Sequence, residues 1–278
     1  MAISKFIPTI WSETLYEELD KQYIAVAHCN RDFEGEIKNC GSMVKICGVG
    51  SVAISDYTKD TDMSNPQALS DTVTTLCIDN AKYFNFQIDD IDRAQASPKL
   101  MSAAMKVAAS ALANAADNSI FALFLEAGIK VGNNNTTADN IIDTIIDART
   151  KLYSNNVVDG TEVFLEVSPR VAALILKSKI KLSTDNGETL ETGCMGSIAG
   201  CKIFVSNNVA VEDLATHEEH HCIMRTRRAV AFAEQLSEIE AYRPEKRFSD
   251  AVKGLHLYGV KLVYPKEFIS VDLTLSKN

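Results

Sequence analysis

SPKLMSAAMKVAASALANAADNSIFALFLEAG, residues 97–128, reads as one helix, and as a longer one than an ordinary domain needs. Ser97 can cap its start, and Pro98 suits the first helical position, where a missing N–H costs nothing. No proline or glycine interrupts the chain from Lys99 to Ala127, and alanine, leucine and methionine are strong helix formers. Met101, Ala104, Met105, Ala108, Leu112, Ala115 and Ala116 recur at three- and four-residue spacing and draw one apolar stripe. Gly128 serves as the terminator. At 1.5 Å per residue the segment spans roughly 45 Å, against a mean of about three turns. Small residues along the stripe let a sheet or a second helix approach closely. On its own the stretch equally fits the long core helix of an α+β enzyme.

The rest of the composition narrows the classes. With 278 residues, 46% of them hydrophobic and 23% charged, the chain can bury a sizeable core in one or two domains. No uninterrupted apolar run reaches the roughly 18 residues of a membrane span. The start, MAISKFIPTIWSETLYEEL, lacks the basic patch and apolar core of a secretory signal. A formal net charge of -9 argues against binding nucleic acid over the whole surface. The seven cysteines are scattered, odd in number and without a CxxC pair, which reads as reduced thiols in a cytoplasm.

Working outward from the helix, residues 1–33 read as an arm with one short helix. Phe6, Ile7, Pro8, Ile10 and Trp11 cluster apolar bulk on it, and Ser12-Glu13-Thr14 can cap a helix reaching about Lys21. In 34–77, short β-branched runs alternate with turn residues. Met43–Ile46 and Val52–Ile54 read as one strand pair, Asp71–Ile78 as a further strand, and the polar tract Ser55–Asn65 as the tip of an extended two-stranded loop. Residues 79–96 lead into the long helix. After the polar GNNNTT at 132–137 a mixed α/β unit comes next, with Thr137 capping a helix whose Ile141, Ile142, Ile145, Ile146 and Leu152 share a face. Further elements are a strand at Glu162–Val167, a helix started by Ser168-Pro169, and a strand at Gly200–Ser206. The last are a strand at Cys222–Ala233 and two long ones, Leu255–Tyr264 and Phe268–Leu275.

Catalytic patterns are scarce. His217-Glu218-Glu219-His220-His221 satisfies H-E-x-x-H, which needs both histidines on one face of a helix and a glutamate to polarise a metal-bound water. Three histidines and two glutamates stand together with strand-like residues after them, so a solvated polar loop is the simplest reading, ahead of adventitious surface metal binding. Asp89, Asp90 and Asp92 lack the glycine and closing glutamate of a calcium loop and suit a helix start. Gly48-Val49-Gly50 lacks the rest of a phosphate-binding loop, and no G-x-S-x-G elbow occurs. No catalytic, cofactor or metal site is assigned, and the expected class is not an enzyme.

The order of parts resembles the major capsid proteins of tailed bacteriophages with the Hong Kong 97 (HK97) fold. It is closest to the branch typified by the coat protein of a Salmonella phage, without that protein's inserted domain. FIPTIWS-x-x-L near the start, DYTKDTDM at 56–63 and AKYFNFQIDDIDRAQA at 81–96 carry the likeness. So do AVAFAEQL at 229–236 and EAYRPEKRFSDAVKGLHLYGVKLVYP at 240–265. The resemblance implies an α+β, HK97-type fold. It makes 1–33 an N-terminal arm, 34–77 an extended β-hairpin or E-loop, 78–131 with 241–278 a peripheral domain holding the long spine helix, and 132–240 an α/β axial domain. It implies self-assembly into pentamers and hexamers of an icosahedral head around double-stranded DNA, touched only weakly and non-specifically. Scaffolding, portal and decoration proteins are the implied partners, with no membrane, and assembly takes place in the bacterial cytoplasm before release in the virion. Inter-subunit candidates are Phe6, Ile7 and Trp11 on the arm, Asp56, Tyr57, Lys59 and Asp60 at the hairpin tip, and Arg225, Arg227, Arg228, Arg243, Lys246 and Arg247 as ion-pair formers. Two other readings stay open: an encapsulin-like compartment shell, and a zinc hydrolase using His217, Glu218 and His221.

Overall fold

A computed structural model describes residues 15, 18–19, 22–33, 43–49, 54, 56, 59, 62, 65, 71–89, 100–157, 161–178, 194–245 and 249–277. The long helix, α1, runs Leu100–Phe121 and tightens into a 3₁₀ turn at Ala122–Glu126. Its 22 residues span about 33 Å. The helical path ends at Glu126, because Ala127 leaves the helical region with ψ 117°, one residue before Gly128. The predicted start at Ser97-Pro98 lies outside the described residues. The buried stripe is Met105, Ala109, Leu112, Ala113, Ala116, Asp117, Ile120 and Phe121. It is therefore turned from the expected one: Ala104, Ala108 and Ala115 are only partly covered. Segment 103–126 is long and apolar enough to cross a membrane by length and composition, but here the stripe packs against a sheet and an N-terminal turn.

Three long antiparallel strands form one sheet, in the order β10–β11–β3: β3 is Asn80–Asp89, β10 Val230–Tyr242 and β11 Ser249–Leu262. A bulge interrupts β10 between Leu236 and Glu238. Tyr258 of β11 ties the sheet to α1, its hydroxyl donating to Ala115 O at 3.2 Å and lying 3.1 Å from Ser119 Oγ. β1 (Met43–Val49) and β2 (Asp71–Cys77) make a separate antiparallel hairpin. The partner of Met43–Ile46 is thus β2 rather than Val52–Ile54, and Ile54 is not in a strand. The hairpin does have a core at its base. Val44, Ile46, Leu76 and Ile78 are buried against Ala231, Ala233 and Leu257 of the long sheet.

The second sheet has seven strands in the order β4–β12–β9–β5–β7–β6, with β8 beside β9. They are β4 Ile129–Asn133, β5 Val163–Val167, β6 Cys194–Ile198, β7 Cys201–Val205, β8 Ala210–Asp213, β9 His217–Thr226 and β12 Phe268–Ser276. β5 and β8 lie end to end along one side of β9, while β12 covers the other. Helix α2 (Ile141–Ser154) packs on β4 and β12, and α3 (Pro169–Lys177) packs on α2. Ser168 caps α3, accepting from the Val171 N–H at 3.4 Å. α2 starts after Asn140 with no side-chain cap from it or from Thr137, the Asn140 Oδ1 instead accepting from the Thr137 N–H at 2.8 Å, and Ile146 faces outward while Ile141, Ile142, Ile145 and Leu152 are buried. Expected segment borders and sheets do not coincide. The strand expected at Cys222–Ala233 is two, β9 and β10, split by a 3₁₀ turn at Arg227–Ala229, and β10 belongs to the long sheet. β12, expected with the closing strands, belongs to the seven-stranded sheet.

Asp117 is a carboxylate on an otherwise apolar stripe, and it is 1% exposed. It accepts the N–H groups of Ile24 (3.1 Å), Ala25 (3.0 Å) and Val26 (3.0 Å), the start of the 3₁₀ turn Val26–His28. Burial pushes its carboxyl up to about 6 despite the pull of those donors. An acid whose folded value is raised holds its proton longer than the unfolded chain does, so stability falls as pH rises from about 4 to about 6. Replacing Asp117 with Asn removes this slope. The stability gap between wild type and D117N should change by about 2–3 kcal/mol between pH 4 and 7, read from urea midpoints. Parallel curves would contradict it.

Candidate assembly surfaces

Residues 22–33 form a strap laid across both sheets, and its anchors are buried side chains from far along the chain. Leu15, Glu18 and Leu19 before it and Gln22 at its start are helical, with Leu15 and Leu19 fully buried. Asn30 then adds to the long sheet: its N–H donates to Val230 O and its carbonyl accepts from Phe232 N, both at 2.9 Å. Tyr23 donates to Glu234 Oε2, which also meets His256 Nε2 at 2.8 Å, and Arg31 reaches Glu234 Oε1 at 2.6 Å. His28 stacks on Phe164 with centroids 4.3 Å apart and leans on Phe204 at 4.0 Å.

Beneath the strap lies an ion pair without solvent exposure, Glu166 of β5 and Arg225 of β9. Arg225 Nη2 donates to Glu166 Oε1 (2.7 Å) and Ala25 O (2.7 Å), Nε to Glu166 Oε2 (3.2 Å), and Nη1 to His28 O (2.9 Å). Glu166 also meets His28 Nδ1 at 3.2 Å. Burial would raise the Glu166 carboxyl, but Arg225 and His28 outweigh it and hold the value low. Arg225 was expected at a subunit contact. Its guanidinium is instead consumed within the chain, because a buried charge needs every donor satisfied.

The other expected contact residues divide. Arg227 and Arg228 are exposed, but both are engaged: Arg227 donates to Ala27 O at 3.0 Å, and Arg228 forks onto Glu267 at 2.8 and 2.5 Å beside Thr226. Arg243 is exposed. Asp56 and Lys59 lie exposed between β1 and β2, with Ile54 96% exposed nearby in sequence. Phe6, Ile7, Trp11, Tyr57, Asp60, Lys246 and Arg247 lie outside the described residues. Apolar side chains left uncovered elsewhere include Met43 on β1, Tyr83 on β3, and Val107 and Leu125 on and after α1.

Residues 217–221 are neither a zincin helix nor a solvated loop but the first half of β9. On a strand, His217 and His221 stand about 13 Å apart, too far to share one ion as H-E-x-x-H requires. His220 and His221 are 3% and 5% exposed. His220 lies between Ser168 Oγ (2.8 Å) and Glu218 (3.3 Å), and Glu218 pairs with Arg170. Buried Cys29 and Cys201 are pushed up to about 11, and Cys222 to about 12, by desolvation, which keeps these thiols inert.

Missed in the sequence were Asp117, Glu166, His28, Glu234 and His256. The signal for Glu166 was its position as the one charge in Val163-Phe164-Leu165-Glu166-Val167, a strand buried at every residue.

No family model matches the chain, and no curated protein matches it. Solved structures do. One from Mycobacterium phage Che8 superposes with a TM-score of 0.71 and 29% identity, covering 90% of this chain and 91% of that one. The capsid structure of the cyanophage P-SCSP1u gives 0.67 at 15% identity over 90% and 87%. A virus-like particle from Pyrococcus furiosus gives 0.59 at 10% identity over 98% and 100%. The chain therefore has the fold of phage capsid structures, and it shares 29% of its residues with the Che8 structure over 90% of its length.

Proposed function

We propose that the chain is the major capsid protein of a tailed phage, assembling as pentamers and hexamers into an icosahedral, HK97-type head around double-stranded DNA. The observation that carries this reading is the strap. It is the described part of the expected arm, 1–33, is locked by Asp117, Glu166, Arg225 and Glu234, and precedes the β1–β2 hairpin in the chain. A subunit that anchors the root of a hairpin so firmly gains from delivering its far end to a neighbour. On this reading α1 is the spine helix, the β1–β2 hairpin is the E-loop, the long sheet is the body of the peripheral domain and the seven-stranded sheet that of the axial domain. The protein is structural, and a scaffolding protein, a portal and decoration proteins are its partners during assembly in the host cytoplasm. A net charge of -9 suits a wall that must not cling to its packaged DNA.

Deleting Ser55–Asn65 should test this. The hairpin base is covered by Ala231, Ala233 and Leu257, so the subunit should keep its fold and thermal midpoint. Closed shells should vanish from electron micrographs of the protein co-expressed with its neighbouring phage genes. Normal shells would overturn the role given to the hairpin. The match to the Pyrococcus furiosus particle keeps a compartment shell as the second reading. Shells that fill with a protein cargo rather than DNA would favour it.

A further inference from the structure

The strand pairing around His221 leaves an arrangement that the shell role does not use. β8 and β9 set Glu212 directly opposite Glu219, and Ala210 opposite His221. Like charges directly opposed on an antiparallel pair destabilise it unless something neutralises them. His221 supplies a second, separate observation. Its Nδ1 lies 2.8 Å from Asp272 Oδ1 on β12, an oxygen that also accepts from Ser270 Oγ at 2.6 Å. Donating the Nδ1 proton to a carboxylate fixes the tautomer and leaves Nε2 with a free lone pair. That Nε2 is buried and has no hydrogen-bond partner. The nearest carboxylate oxygen, Glu212 Oε1 at 3.6 Å, is itself an acceptor and too far for a hydrogen bond. Phe124 stacks on the imidazole at 4.1 Å and 14° and holds its plane.

One ligand atom each from Glu212, Glu219 and His221 can be chosen so that all lie within 4.8 Å of one another. Ligands about 2.0–2.2 Å from a tetrahedral ion sit roughly 3.3 Å apart. The separation of 3.6 Å between His221 and Glu212 is close to that. We propose that Glu212, Glu219 and His221 form a site for a divalent transition-metal ion, with Asp272 orienting the histidine. A histidine held through its far nitrogen by a carboxylate is the usual outer support of such ions. One imidazole with two carboxylates suits Zn²⁺, Co²⁺ or Mn²⁺ better than Mg²⁺, and water completes the coordination. The ion would cancel the Glu212–Glu219 repulsion and bind β8 to β9 where β12 backs it. The site differs from the H-E-x-x-H reading: His217 is not a ligand, and Glu218 belongs to the Arg170–His220 set.

The test is a Co²⁺ titration of the full-length, chelator-stripped protein, monitored by visible absorption and by thermal midpoint. The expected result is one equivalent bound, a raised midpoint and displacement by Zn²⁺. Glu212→Gln and Glu219→Gln should each weaken binding at least tenfold. Both change partly exposed carboxylates, so circular dichroism should show an intact fold. His217→Ala should leave binding as it was. No binding at millimolar Co²⁺ would overturn the proposal. Binding lost in His217→Ala but kept in Glu219→Gln would also overturn it, since that marks an adventitious surface histidine site.

Discussion

Arg225→Met is expected to cost the subunit about 3–5 kcal/mol. Arg225 and Glu166 are both 0% exposed, so removing the cation leaves an ionised carboxylate in the core with only His28 beside it. Two strap carbonyls, Ala25 O and His28 O, lose the guanidinium donor at the same time, though Ala25 O keeps the His28 N–H at 3.1 Å. The loss should show as a lower urea midpoint and poor soluble yield, and shells should not form because the root of arm and hairpin is no longer held. Replacing both partners, Glu166→Gln with Arg225→Met, should recover part of the stability, because the uncompensated charge is the larger penalty. A single variant within 1 kcal/mol of wild type would contradict the pair's role in holding the strap.

Gly259→Ala is expected to undock the hairpin. A Cβ built on Gly259 of β11 would sit 2.3 Å from the Cys77 carbonyl oxygen and 2.9 Å from Ile78 Cδ1. The nearest obstacle is backbone, which no rotamer change can move aside. The requirement here is space, since β2 crosses directly over β11. Overpacking of this kind costs about 1–3 kcal/mol, and it falls on the patch that covers Val44, Ile46, Leu76 and Ile78. The main core, which contains none of those residues, should survive. We expect near-wild-type circular dichroism, new protease cleavage within residues 34–77, and loss of closed shells. A variant that assembles normally would show that hairpin docking does not govern assembly.

How far the sequence could be read depends on which residues carry periodic signals. The long helix was legible because alanine, leucine and methionine repeat without a breaker from residue 100 to 121. The phase of its stripe was not. Alanine fits a buried and a half-buried position alike, and the contacts of Asp117 that fix the phase come from residues 24–26, over 90 positions away. β12 and most of β11 were legible as β-branched runs around Pro265. Their division between two sheets was not, because pairing partners leave no local trace. Residues 217–221 misled for a physical reason: consecutive charged and imidazole groups look solvated. Yet Ser168, Asp272 and Phe124 arrive from elsewhere to bury His220 and His221. Arg225 misled in the same way. An arginine reads as surface until Glu166, hidden in an apolar strand, is placed beside it.

A cryo-electron microscopy map of assembled particles tests the shell role most directly. The expected map is a closed icosahedral shell of five- and six-fold capsomers. In it, residues 1–14 and the hairpin tip around Ile54, Asp56 and Lys59 lie against neighbouring subunits, and Arg225 stays buried on Glu166. Particles in which arm and tip fold back on their own subunit, or a protein that forms no shell with its scaffolding partner present, would contradict it.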